Sequence, residues 1–371
     1  MGGIPSGGGS RSGLVSLTKP AAARGFLAPL PGPVGLAPFY IVSSTAGFNF
    51  PLWSIAYTTD GGRQWQNVTP HGVELTVPTG AASISIPSPN VVWILSGNAK
   101  ASNLITTRLY LTTSAGHHWT VRPFFSSSVS YISALNGRQA FVMTMRGVAA
   151  GPQAVSIYRT EDAGRTWHLV ARTGRRGRRS FPYQGGKTGL FFASPQDGVL
   201  TGYDAAGHAW VYATHDGGRR WAPSHLVMPP ELQGQPVTFG PVAFFGRRGR
   251  GVLIASVFGF PTVIYQTTDG GRRWSLAGAM PYPAGAASQT VDIASQEDLW
   301  AVVNVSPTEQ PETALMRSTN GGRTWHRVPG SLPRLVLSLD FINGSIGYAN
   351  VVGGDIWTTT DGGAHWFNLG S

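Results

Sequence analysis

The chain has 371 residues, no cysteine, and a formal net charge of +11 on only 12% charged residues. These values exclude disulfides, thiol catalysis and cysteine-held metals, and no apolar run approaches the ~20 residues that a membrane-spanning helix needs. With 50 glycines, 27 prolines and no amphipathic helical stretch, the chain reads as turn-rich and all-β, and its one-sided charge favours an anionic partner.

Residues 1–30 read as a flexible glycine-rich leader. Its opening, MGGIPSGGGSRSG, lacks the apolar core of a signal peptide and meets the Met-Gly-x-x-x-Ser acylation pattern, as glycine-rich leaders do by chance. Residues 31–371 are expected to form one domain of seven repeats, each carrying a Ser/Thr-x-Asp-x-Gly-x-x-Trp motif. The third, fifth and eighth positions are Asp60, Gly62 and Trp65 in the first copy, then Ser114, Gly116 and Trp119, then Asp162, Gly164 and Trp167. The fourth copy has Asp216, Gly218 and Trp221, and the fifth Asp269, Gly271 and Trp274. The sixth has Asn320, Gly322 and Trp325, and the seventh Asp361, Gly363 and Trp366. The tryptophans recur every 41 to 54 residues. A period near 50 residues with strand-like flanks predicts an all-β, seven-bladed β-propeller with four antiparallel strands per blade.

The chemistry of the motif is that of a turn. Thr and Asp side chains can bond turn amides that no strand partner satisfies. The glycine accepts a positive φ, and the tryptophan is expected to fold back and seal the blade edge. Ser114 and Asn320 still accept a hydrogen bond in place of the carboxylate, which suits a cap and not carboxylate catalysis. The motif residues are therefore read as structural, one copy at each third-to-fourth strand turn.

An upstream frame of apolar strand, polar turn and apolar strand supplies the first two strands, as in Val291–Trp300 and Leu339–Tyr348. Antiparallel parity puts the first-to-second turns and the motif turns on one face, the motif face. The second-to-third loops and the connections between blades fall on the other, the loop face. That face takes the long irregular segments 97–105, 146–153, 172–186, 223–236, 278–287 and 304–313, where binding usually resides.

The motif resembles the Asp-box, or bacterial neuraminidase repeat, of sialidases, xyloglucan-active glycosidases and sortilin-type receptors. Joined to the upstream frame, as in SQEDLWAVV followed by STNGGRTW or in NGSIGYANVVGGDIWTTTDGGAHW, it resembles the photosystem II assembly and stability factor family, from about Leu36 to Leu369. That resemblance implies a non-enzymatic assembly factor acting outside the cytoplasm, whose arginine-rich surface meets a membrane-protein partner.

Two arginine clusters fit a carboxylate- or phosphate-bearing partner. Arg172, Arg175, Arg176, Arg178 and Arg179 lie in the connection after the third blade, on the loop face. Arg219, Arg220, Arg247, Arg248, Arg250, Arg272 and Arg273 are expected together on the motif face of blades 4 and 5. A glycosidase would need two carboxylates flanking its bond. Asp292 and Asp340, at matching positions on the inner strands of blades 6 and 7, are the weak catalytic candidates; hydrogen bonding in a turn or along the central channel is the favoured reading. The nine histidines show no metal spacing, and His117 and His118 are expected to point to opposite sides. No cofactor motif and no nucleic-acid-binding module is present. The sequence thus reads as a scaffold for a protein partner, a membrane protein or assembly intermediate, with a secreted glycan-binding protein or a sialidase-like or xyloglucanase-like hydrolase as the alternative.

Overall fold

The computed structural model describes residues 39–41, 43–49, 54–71, 82–99, 105–125, 129–146, 154–173, 181–235, 237–246, 249–257, 260–280, 288–304, 313–333 and 335–369. They form seven antiparallel sheets, each made from one continuous stretch of chain. Blade 1 comprises Phe39–Ile41, Gly47–Asn49, Ala56–Thr58 and Gln66–Asn67, and blade 2 Ala82–Ser88, Val91–Ala99, Ile105–Thr112 and Thr120–Phe124. Blade 3 is Val129–Ala134, Ala140–Arg146, Ala154–Thr160 and His168–Arg172, and blade 4 Lys187–Phe192, Gly198–Tyr203, Ala209–Thr214 and Ala222–Pro223. Blade 5 is Thr238–Phe245, Arg250–Ser256, Val263–Thr267 and Arg273–Ala279, and blade 6 Ser288–Ile293, Leu299–Asn304, Thr313–Ser318 and His326–Arg327. Blade 7 is Val336–Phe341, Gly347–Val351, Ile356–Thr359 and Phe367–Asn368. The seven-bladed, four-stranded architecture expected from the repeat is thus observed. Among the described residues, no helix is long and apolar enough to cross a membrane.

Burial explains the strand composition. The second strand of a blade is sandwiched between both neighbouring blades, so it needs apolar residues on both faces. Val92 to Leu95 and Leu299 to Val303 are accordingly continuous apolar runs that are almost wholly buried. The fourth strands lie at the rim, and their residues are largely exposed, as in Thr120–Phe124 and His168–Arg172.

The core is divided among the seams between blades. Each of seven apolar clusters occupies one seam and includes the motif tryptophan of the later blade. Trp119 joins Val68, Val92 and Tyr110 between blades 1 and 2, Trp167 joins the 2–3 cluster and Trp221 the 3–4 cluster. Trp274, Trp325 and Trp366 serve the next three seams in turn. Trp65 closes the ring by packing with Ile342, Tyr348 and Leu369 of blade 7. The blade edge that the tryptophan seals is thus the one facing the preceding blade.

Among the described residues, closure uses no strand exchange. At that last seam, Tyr348 donates its hydroxyl to the Ser44 carbonyl at 3.3 Å. A Cβ placed on Gly62 would lie 2.9 Å from the Leu369 side chain, so the first motif turn rests directly on the last blade.

Blade 5 departs from the pattern. His225–Leu226 adds a fifth, parallel strand along Arg273–Trp274. The 223–236 segment, expected on the loop face, instead begins along the outer edge of blade 5 because that edge offers unpaired amides and carbonyls.

Candidate functional site

The seven motif turns share one hydrogen-bond pattern. In blade 1 the Gly62 amide donates to Thr58 Oγ1 and the Gln64 amide to Asp60 Oδ1, both at 2.9 Å. In blade 2 the same two bonds end on Thr112 and Ser114, at 2.9 and 3.0 Å, and in blade 6 on Ser318 and Asn320, at 2.8 and 2.9 Å. An uncharged acceptor therefore does the job of the carboxylate. Hydrogen bonds from the Thr166 side chain and amide hold the Asp162 carboxyl well below the usual carboxylate range, and the His365 amide and imidazole do the same for Asp361. Both the fourth and fifth positions take a positive φ. The fourth is Ala115 in blade 2 (φ 55°) and Ala163 in blade 3 (φ 64°), a conformation that favours glycine.

These turns carry the motif-face arginines. Arg219, Arg220, Arg250, Arg272 and Arg273 are all exposed. The Gly270 amide donates to the Gly249 carbonyl at 2.9 Å, fastening the inner turn of blade 5 to its own motif turn. Across the 4–5 seam, His215 of the blade 4 motif lies against Gly270, where an added Cβ would meet its ring at 3.2 Å. His215 Nδ1 is 2.8 Å from Asp197 Oδ1; a carboxylate can only accept, so Nδ1 carries the proton. The two blades thus join their arginine-bearing turns into one surface. Arg247 and Arg248 lie outside the described residues.

Arg172 is exposed at the loop-face end of the last strand of blade 3, paired in register with Ser156. The rest of that run, Arg175, Arg176, Arg178 and Arg179, lies outside the described residues. Beyond it sits a lysine that sequence reasoning passed over. Lys187 is 3% exposed, and its ammonium donates to the carbonyls of Tyr183 (3.0 Å), Gln184 (3.4 Å) and Gly185 (2.9 Å). Burial pushes it down to about 8.

Asp292 and Asp340 are buried, at 7% and 1% exposure. Asp292 Oδ2 accepts the Phe341 amide of the next blade at 2.7 Å. At the matching position Ser85 accepts from Ala134 at 3.0 Å and Ser133 from Phe192 at 2.9 Å. This register position therefore stitches one inner strand to the next, whether a serine or an aspartate occupies it.

His117 and His118 do not diverge as expected. The fourth strand of blade 2 begins only at Thr120, so both residues sit in the motif turn, outside strand alternation, and both line a cavity at the 1–2 seam. Their motif positions, sixth and seventh, were the available signal. Among the described residues, no group of three or more His, Cys, Asp or Glu side chains could hold a metal ion.

No family model matches this sequence, and no curated relative is detected by sequence. Solved structures do match. The YCF48 structure with a bound D1 peptide is 19% identical over 90% of this chain and 91% of that one, with a TM-score of 0.51. YCF48 from Cyanidioschyzon merolae is 16% identical over 91% and 97%, with a TM-score of 0.52. The GH74 xyloglucanase from Xanthomonas campestris is 14% identical over 95% of this chain, with a TM-score of 0.58; this chain spans 55% of that longer enzyme. At these identities the likeness shows the fold alone, and it is the fold of the photosystem II assembly factor YCF48 as well as of glycan-active enzymes.

Proposed function

We propose that this protein is a non-enzymatic propeller scaffold, acting outside the cytoplasm, that holds a protein partner through its motif face at blades 4 and 5. The observation that carries this reading is the set of five exposed arginines, from two adjacent blades, on turns that are internally hydrogen-bonded and fastened together. Such a surface costs little to order on binding and presents guanidinium forks to carboxylates. The partner is a membrane protein or assembly intermediate with an acidic surface. The YCF48 complex with a D1 peptide supports the reading by showing a propeller of this fold bound to a peptide.

A crosslinking pull-down with Arg219→Glu, Arg220→Glu, Arg272→Glu and Arg273→Glu combined tests it. Loss of a discrete partner that the parent chain retains supports the scaffold, and retention of every partner rejects the arginine face. The hydrolase reading rests on the xyloglucanase likeness. It is disfavoured by Asp292, whose carboxylate is engaged by a buried amide. Release of reducing sugar from xyloglucan that disappears in Asp340→Asn would favour it instead.

A further inference from the structure

We infer that the seam between blades 1 and 2 is a binding site for a neutral saccharide, separate from the arginine face. A cavity of about 510 Å³ opens there, within the range of small-ligand sites. Its walls include Gln66 and Asn67 of the last strand of blade 1, His71 just beyond it, and His117, His118 and Trp119 of the blade 2 motif.

The walls are built rather than incidental. Trp119 donates its indole N–H to the Val68 carbonyl at 2.7 Å, which fixes the ring. His117 stands edge-on to Tyr57, with ring centroids 6.5 Å apart. Asn67 uses its carbonyl oxygen on the Thr69 amide and hydroxyl, at 2.9 and 2.6 Å, which orients its amide N–H₂ as a donor. A Cβ on Gly116 would lie 2.6 Å from Val68, so the turn reaches the cavity floor only because that position is glycine.

Charge defines the ligand class. Among the described residues, no Asp, Glu, Lys or Arg lines the cavity, in a chain of net charge +11. Five of the seven motifs place arginine at the sixth position (Arg63, Arg165, Arg219, Arg272 and Arg323), whereas blade 2 places His117 there. An anion has stronger sites on the arginine face, and a cation finds no carboxylate among the described lining residues. An apolar ligand would strip water from amides and imidazoles without replacing their hydrogen bonds. A sugar ring meets both demands: its C–H face lies on the indole, and its hydroxyls exchange donors and acceptors with amide and imidazole groups.

The test uses the full chain and four neutral probes, cellotetraose, maltotetraose, mannotetraose and chitotriose, with inorganic phosphate as the charged comparator. Saturation-transfer NMR and tryptophan fluorescence are followed to about 10 mM, since sites of this size commonly bind single sugars near the millimolar range. Saturable binding of at least one probe is expected, weakened about tenfold or more in Gln66→Ala/His118→Ala, two exposed positions whose truncation leaves the seam packed. Trp119→Ala should abolish it, and Arg219→Glu/Arg220→Glu should leave it unchanged. The proposal is overturned if no neutral probe binds, if binding survives Gln66→Ala/His118→Ala, if it is lost only with the arginines, or if phosphate alone occupies the cavity. Loss of the 4–5 partner in a pull-down leaves these outcomes unaffected, so the two readings fail separately.

Discussion

The seams between blades 1 and 2 and between blades 4 and 5 are built on the same motif yet end differently. At the 4–5 seam the chain leaving blade 4 turns along blade 5, pairs His225–Leu226 with its edge, and packs Leu232 and Val237 around Trp274, which is left 2% exposed. At the 1–2 seam the chain leaving blade 1 lines a cavity, and Trp119 stays half-buried. The first seam is closed and rimmed with arginine; the described walls of the second are uncharged and concave. The motif fixes the turn, but the connecting segment decides whether the seam becomes core or site.

The largest expected effect contrasts the two tryptophans. Trp274→Ala should destabilise by roughly 3–5 kcal/mol, the cost of emptying a filled core position, and Trp119→Ala by about half as much because solvent already reaches it. Urea unfolding of both variants measures this; equal losses would mean the seams are energetically alike. Next in size, His225→Pro deletes the amide that donates to the Arg272 carbonyl at 2.8 Å. It should cost about 1–2 kcal/mol and raise hydrogen exchange along residues 273–279 while leaving blade 2 protected. Exchange that rises equally in blade 2 would show the added strand is not local in effect.

Smaller effects refine the contrast within the motif. Ala163→Gly should stabilise by about 0.5–1 kcal/mol through relief of its positive φ. Ala115→Gly at the 1–2 seam should gain less, because its methyl is buried in the cluster there. A larger gain at Ala115 would show that its methyl contributes no packing.

Acid should separate the motifs further. Asp162 and Asp361 are held below their unfolded value by hydrogen bonds, from Thr166 and from His365 respectively. Their contribution is complete above about pH 4 and is lost as pH falls through the lower folded value. The blade 2 turn, capped by Ser114, has no such proton to take up. Exchange of the Thr166 and His365 amides should therefore accelerate below pH 4 relative to His118, and Asp162→Asn should flatten the difference. Base acts on the other seam. Burial raises Tyr265, whose hydroxyl donates to the Val227 carbonyl at 3.0 Å, to about 12. Its stabilisation is complete below pH 10 and lost as pH climbs toward 12; alkaline melts of Tyr265→Phe should lack that decline.

Much of this molecule is determined by local chemistry and was open to reading along the chain. The Thr–Asp–Gly turn satisfies its own amides, so its seven copies announced seven hairpins, and strand parity alone sorted Arg219, Arg220, Arg250, Arg272 and Arg273 onto one face. The same locality misled at His117 and His118, because strand alternation was extended into residues that belong to the turn. What tertiary structure decided is everything that spans a seam: the packing of each tryptophan against the blade before it, the amide bridge from Phe341 to Asp292, the strand His225–Leu226 laid on blade 5, and the cavity beside Trp119. Those contacts join residues about 40 to 60 positions apart, or the two ends of the chain. No period or propensity encodes them, because they depend on how one sheet's side chains fill the space left by the next.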